Sequence, residues 1–286
     1  MRHLQRLASL PVLATAFVVL TLLAGGPLRP YESVWHRFWI REYPEWAKWL
    51  LQDVLDRLTG DTVSIPVLLI TAIVVARRLR SWRPMYFAAA TVVSFAGIGI
   101  LKVVLARPTP MRQDPTFFAG GWFTDGWQGI AYPSGHASEA ILFYGAAAYL
   151  ILHYERPGRR VRRIAVGSVV CVAIISVTTS YILGWHWLTD MPAGLLAGGV
   201  MLHIAIWADR TIVPRVLARL PWLPGRPAPQ RRPQADRPTV DPPPAGRPST
   251  GLAADQPPEP PPCDQPPADP PATGSVSPPS TSSSSA

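Results

Sequence analysis

The stretch AYPSGHASEA, residues 131–140, sets a proline, a serine, a glycine and a histidine at the mouth of an apolar run. Fifty residues further on, GWHWLTD, residues 184–190, sets a second histidine and an aspartate at the mouth of another. Pro133 and Gly135 interrupt regular structure, and Ser134 can cap the helix that follows. A helix start carries unpaired N–H groups and a positive dipole end, which suit an anion such as phosphate. Gly135 lets the backbone come close to that anion. His186 and Asp190 are four apart, so a helical turn would put them on one face. The carboxylate could then hold the imidazole Nδ1–H and leave Nε2 free as nucleophile or base. The plainer readings are a Ser-capped helix with an interfacial histidine, and an imidazole between two belt tryptophans, Trp185 and Trp187, with Asp190 only capping. The cost of an ionisable pair at membrane depth weighs for a functional pair.

Working outward, the chain divides sharply. Residues 1–209 alternate apolar blocks with short arginine-rich breaks, whereas residues 221–286 hold 21 of the 34 prolines and end in STSSSSA. The tail buries too little apolar surface to offset its chain entropy and is expected to be disordered. The expected domains are thus a membrane domain over 1–209, a basic juxtamembrane segment over 210–220 and a cytoplasmic Pro-rich tail over 221–286. A run of about 17–25 apolar residues can cross a bilayer. Six candidates stand at about 7–26, 61–76, 85–105, 136–154, 164–183 and 190–209, which predicts an all-α polytopic bundle of six transmembrane helices. The first could be a signal peptide, but its length and the charge pattern favour a retained span.

The net charge of +9 is not spread as a nucleic-acid stripe. It falls in RRLRSWRP after the second span, in ERPGRRVRR after the fourth, and on Arg210, Arg215 and Arg219 after the sixth. The positive-inside rule puts these breaks and both termini in the cytoplasm. The opposite loops, 27–60, 106–135 and 184–189, then lie outside the cytoplasm with the two histidine stretches. The first of them, with VWHRFWIREYPEWAKWL, reads as a helix resting in the interface. The alanine-, arginine- and proline-rich composition suits a bacterial chain, whose membrane would be the plasma membrane. Cys171 and Cys263 sit in unlike segments, so a disulfide is not expected, and no Cys/His spacing suggests a metal.

A third piece is LKVVLARPTP, residues 101–110. Lys102 falls in the last turn of the third span, and Arg107 precedes Pro108, which biases it out of helix. Two cations at a cation-poor face suit an anion. They could equally snorkel and cap.

These three pieces resemble the motifs of the type 2 phosphatidic acid phosphatase superfamily, membrane lipid-phosphate phosphatases related to vanadium haloperoxidases. Its motifs read Lys-x6-Arg-Pro, Pro-Ser-Gly-His and Ser-Arg-x5-His-x3-Asp. The second is complete here as Pro133-Ser134-Gly135-His136. The third keeps His186 and Asp190, and the first keeps Lys102 and Pro110. The two motif arginines fall on Thr109 and Ser180, with Thr179 beside the latter, and Arg107 is the nearest substitute, ahead of Arg112. The resemblance implies that His186 attacks phosphorus to form a phosphohistidine, that Asp190 orients it and that His136 protonates the leaving group. Lys102, Arg107, Ser134 and Gly135 would hold the phosphoryl oxygens, with no metal or other cofactor.

The expected function is hydrolysis of a lipid phosphate or diphosphate, such as a polyprenyl diphosphate or a phosphatidic-acid-like lipid, at the extracytoplasmic leaflet. A phosphotransferase using an alcohol acceptor, and a non-catalytic phospholipid binder that has lost the arginines, are the alternatives. A transporter is disfavoured by the scarcity of charge within the spans. Glu139, one turn inside the fourth span, could tune His136, bind a headgroup or face an interhelical gap. The expected partners are the bilayer and its lipid phosphate, with no nucleic acid. The tail could bind a cytoplasmic partner through polyproline stretches.

Overall fold

The computed structural model describes residues 9–219, so the expected Pro-rich tail lies outside the described residues. Those residues form helices and loops, with no strand among them. The main helices are α1 (Leu10–Gly25), α2 (Arg29–Trp35), α3 (Glu45–Trp49), α4 (Asp61–Leu79), α5 (Arg83–Leu105), α6 (Gly135–Leu150), α7 (Arg159–Leu183) and α8 (Asp190–Arg219). Their ends follow from the sequence. Proline opens α1, α2 and α5, where its missing N–H costs nothing. Gly184, at φ 74°, closes α7 in the left-handed conformation that glycine adopts without strain.

Among the described residues, four helical stretches are long and apolar enough to cross a bilayer: Glu45–Leu79, Arg83–Arg112, Arg159–Leu183 and Asp190–Val216. A fifth exists if Leu10–Gly25 and Arg29–Glu42, bent by 80°, count as one span. Among the described residues the count is thus four or five by length and composition, where six are expected from the sequence. Helix α6 has 16 residues before its hydrogen bonding widens to a π turn at Ile151–Glu155. At 1.5 Å per residue it is about 24 Å long, short of a hydrocarbon core of about 30 Å. In the other direction, α8 runs past the expected boundary at 209, through Pro214, to Arg219.

Helix α6 is the hub. Eleven of its residues are buried, from Gly135 to Leu150, on all sides. An all-round apolar helix is what a bundle centre requires. Leu142, Phe143, Ala146 and Leu150 form the core with Leu68, Ala72 and Val75 of α4, Phe87 and Ala88 of α5, and Ala205 of α8. Large apolar residues such as Val19, Ile70, Val93, Ile100, Ile174 and Ile204 face outward. That suits a lipid surround, since lipid tails are as apolar as the core.

The closest crossing is between α6 and α8. A Cβ at Gly194 would lie 2.5 Å from the Ser134 carbonyl oxygen, and one at Gly198 would lie 2.5 Å from that of Ser138. Small residues four apart let two backbones touch, and the Ser138 hydroxyl donates across the gap to the Gly194 carbonyl at 3.0 Å. At the far end, Arg78 pairs with Glu155 at 3.1 Å and Arg83 with Asp209 at 3.1 Å. The ends of α4, α6 and α8 and the start of α5 therefore share one end of the bundle.

Replacing Gly198 by Ala should lower stability by about 1–3 kcal/mol, the usual penalty for overpacking. Gly167→Ala, where a Cβ meets nothing within 4 Å, should be neutral or stabilising. Thermal melts of both variants in detergent check the contrast; equal melting would mean that the crossing tolerates a side chain.

Candidate active site

Three helix ends meet at the other end of the bundle: the last turn of α5 and the first turns of α6 and α8. Ser134 caps α6, its hydroxyl accepting from the Ala137 N–H at 3.4 Å. Its own N–H donates to the Asp190 carbonyl at 2.9 Å, so the second and third motifs are joined by a backbone hydrogen bond. The Ser134 side chain is fully buried in this capping role.

His186 and Asp190 do meet, though not by a helical turn. Residues 184–189 form a loop, and α8 begins at Asp190. The loop folds back so that the His186 Nδ1 lies 3.4 Å from Asp190 Oδ2, the long end of a hydrogen bond. The same oxygen accepts from the Trp187 N–H at 2.9 Å. Asp190 is wholly buried, and its other oxygen accepts from Arg107 Nη1 at 2.5 Å. Burial of the His186 imidazole pushes its pKa below the ordinary value, with Asp190 opposing.

Arg107 is turned inward. The chain leaves α5 through Ala106 in a left-handed conformation, and Arg107 ends with no exposed surface. Its Nε donates to the Pro115 carbonyl at 3.0 Å and its Nη1 to Thr189 Oγ1 at 2.9 Å. Its Nη2 lies 3.3 Å from Glu32 Oε1. Phe117, Tyr132 and Trp187 surround the guanidinium with ring centroids at 5.0, 5.8 and 5.7 Å. Its partners are thus protein groups, with Asp190 the nearest. Trp187 is also buried, its indole N–H donating to the Pro108 carbonyl at 2.8 Å. This corrects its reading as a membrane-belt residue: the ring pins one motif loop to another.

Across the site, His136 presents a partly exposed imidazole whose Nε2 lies 3.3 Å from Asp56 Oδ1. Lys102, half-buried in the last turn of α5, donates to the Ile130 carbonyl at 3.1 Å. A Cβ on Gly135 would lie 3.7 Å from Lys102 Nζ and from Glu139 Oε1, so the cation stands over the start of α6. Lys102, His136 and Glu139 interact electrostatically, and His186 feels both Lys102 and His136. Glu139 is buried, with one oxygen lacking a hydrogen bond. Thr109 and Ser180, at the positions of the motif arginines, are buried with unpartnered hydroxyls. Arg112 pairs with Asp125 in the loop between α5 and α6. Among the described residues no three His, Cys, Asp or Glu side chains group as a metal centre.

Two carboxylates escape sequence reading. Glu32 and Asp56 both come from the segment expected to rest in the interface. Instead α2 packs Glu32 wholly inside, and the stretch from Glu45 carries Asp56 beside His136. Neither has a local signal: the partners of Glu32 are more than 70 residues away.

Comparison with known proteins agrees with this layout. The PAP2 superfamily model matches residues 83–213. A crystal structure of a transmembrane PAP2-type phosphatidylglycerolphosphate phosphatase from Bacillus subtilis shares the fold, with a TM-score of 0.59 at 16% identity. The match covers 71% of this chain and 96% of that one. No curated protein sequence matches the chain. Lys102, His136, His186 and Asp190 all lie inside residues 83–213, the region that resembles the PAP2 superfamily.

Proposed function

We propose that the protein hydrolyses a phosphate or diphosphate ester of a membrane lipid through a phosphohistidine on His186. The observation that carries this reading is the convergence of two histidines, a lysine and a helix N-terminus at one end of an apolar bundle. The His186 Nε2 attacks phosphorus while Asp190 holds Nδ1 and stabilises the positive charge that develops. The bond from phosphorus to the leaving oxygen breaks, an ester bond in a monophosphate and an anhydride bond in a diphosphate, and His136 gives its proton to that oxygen. A water then loses a proton to His136 and attacks the phosphohistidine, releasing phosphate and restoring His186. Lys102 and the N–H groups that open α6 face the phosphoryl oxygens, whose charge the helix dipole also favours.

In this reading Arg107 acts through Asp190, not on the phosphate. It fixes the carboxylate that fixes His186. Ser134 likewise acts by capping α6. The reaction would occur at the extracytoplasmic face of the plasma membrane. Supporting this, the arginine-rich breaks lie at the opposite end of the bundle, which the positive-inside rule assigns to the cytoplasm. The apolar outer faces of the helices beside the site suit a substrate that arrives laterally from the bilayer.

Phosphate release from detergent-solubilised polyprenyl diphosphate, phosphatidic acid and phosphatidylglycerolphosphate, with chelator present, tests the reading. His186→Ala should lose at least about 10³-fold in turnover, as removal of a nucleophile does. His136→Ala should lose about 10²–10⁴-fold on the two monophosphate esters, whose leaving oxygen is an alkoxide. An acid-labile, alkali-stable label from ³²P substrate should appear in the parent protein and be absent from His186→Ala. Full release by His186→Ala would overturn the proposal. Label without phosphate release, relieved by added alcohols, would identify a transferase.

The depressed His186 pKa makes a separate prediction. Its imidazole should stay neutral, and so nucleophilic, below the usual titration midpoint of about 6.5. The ¹³Cε1 shift of labelled histidine, assigned by its loss in His186→Ala, should titrate below that value. A midpoint above it would mean that Asp190 outweighs burial.

A further inference from the structure

We infer that Glu32 and Asp56, both outside the family-matched region, are positioning residues, one for each histidine of the reaction proposed above, on which this inference rests. Glu32 serves the nucleophile. Its Oε2 accepts from the Leu188 N–H at 3.0 Å, and its Oε1 accepts from the Thr189 hydroxyl. These are two of the three residues between His186 and Asp190, so Glu32 holds the loop that carries the imidazole. Through Arg107 it also reaches the Asp190 carboxylate: Glu32 Oε1 to Arg107 Nη2 is 3.3 Å, and Arg107 Nη1 to Asp190 Oδ1 is 2.5 Å. All three side chains are wholly buried. A guanidinium between two carboxylates has a fixed place, and Asp190 has a fixed oxygen left for His186.

Asp56 serves the acid. It ends the π turn Leu50–Asp56, and its carbonyl accepts from the Thr59 hydroxyl at 3.1 Å and the Gly60 N–H at 2.9 Å. π turns recur where a side chain must be aimed at a functional site. The chain then passes directly under the imidazole. A Cβ on Gly60 would lie 3.2 Å from His136 Nε2, so a larger residue would crowd the ring. Asp56 Oδ1 is buried and makes no hydrogen bond, and His136 Nε2, 3.3 Å away, is the cationic group at ion-pair distance from it. The carboxylate favours the imidazolium and occupies one ring nitrogen. The other nitrogen keeps the proton that goes to the leaving oxygen when the P–O bond breaks, and later takes one from water.

Burying a carboxylate is costly, and apolar replacement of a buried ion pair is often neutral or stabilising. A purely architectural role therefore explains poorly why this one segment carries both, each one contact from a different motif or its partner. The two roles also differ in their kinetic signature. An acid matters most when the leaving oxygen is a strong base, whereas a nucleophile matters whatever leaves.

The test compares full-length parent, Asp56→Asn and Glu32→Gln on phosphatidic acid and on an aryl phosphate, whose phenolate leaves without protonation. Asp56→Asn should lose about 10²-fold in kcat on the lipid, and the loss there should exceed the aryl loss by about tenfold or more. Asp56→Glu should recover part of it. Glu32→Gln should lose about 10²-fold in kcat on both substrates alike, as displacement of a reacting group does. It should also slow phosphohistidine labelling, and Glu32→Asp serves in its place if Glu32→Gln melts below the assay temperature. Parent-like kcat, a change confined to KM, or an Asp56→Asn loss equal on the two substrates would overturn the inference. His186→Ala run beside them keeps the two readings apart: its full activity would sink the phosphohistidine route, whereas its inactivity beside parent-like Asp56→Asn and Glu32→Gln would sink only the positioning roles.

Discussion

The contact between the backbones of α6 and α8 is the constraint on which the site depends. Gly194 and Gly198 lie against the carbonyls of Ser134 and Ser138, at a separation that no side chain would permit. The crossing joins the first turn of one helix to the first turn of the other. It therefore brings the Pro-Ser-Gly-His run to Asp190 and, through the 184–189 loop, to His186. In an apolar surround, helices gain little from hydrophobic exclusion, so close packing and cross-helix hydrogen bonds carry the association. The Ser138 hydroxyl and the Ser134 N–H supply two such bonds.

Around that crossing the buried Arg107 is matched by buried carboxylates. Arg107 lies between Glu32 and Asp190, inside a cage of Phe117, Tyr132 and Trp187. Such a group is held by its neighbours and holds them in turn. Breaking one member of a buried pair typically costs about 3–5 kcal/mol, which links folding of the loops around Arg107 to the geometry of His186. The substrate end of the site is less closed. His136 is partly exposed and Lys102 half-buried, where a phosphoryl group would meet them. Rigid support beneath and accessible cations above is a workable division for phosphoryl transfer, where positioning and electrostatics carry most of the rate.

The departures from the family motifs are resolved unevenly. Thr109 and Ser180 are buried with free hydroxyls, so neither position supplies a cation. Arg107, two residues early, does not extend toward the α6 N-terminus. It is drawn into the Asp190 network because Ala106 turns the chain at the end of α5. Lys102 is then the cation that stands over the start of α6. In the proposed reaction the phosphoryl charge would rest on fewer fixed cations than the three motifs usually provide.

The sequence by itself determined the apolar helices, the basic ends and the residues of the motifs, because these depend on local composition, short spacings and helix-end chemistry. Ser134 capping α6 and Gly184 closing α7 belong to that class. Tertiary structure decided the rest. Whether His186 meets Asp190 by a helical turn or a folded loop depends on where α7 stops and what α8 packs against. Whether Arg107 faces substrate or core depends on carboxylates 75 and 83 residues away. The bend between α1 and α2 and the π widening after α6 come from packing, which hydropathy does not see. Glu32 and Asp56 lay in a segment whose aromatic and charged residues match an interfacial helix equally well. Only the fold, by setting each within contact of a motif residue or its partner, distinguishes a buried carboxylate from a solvated one.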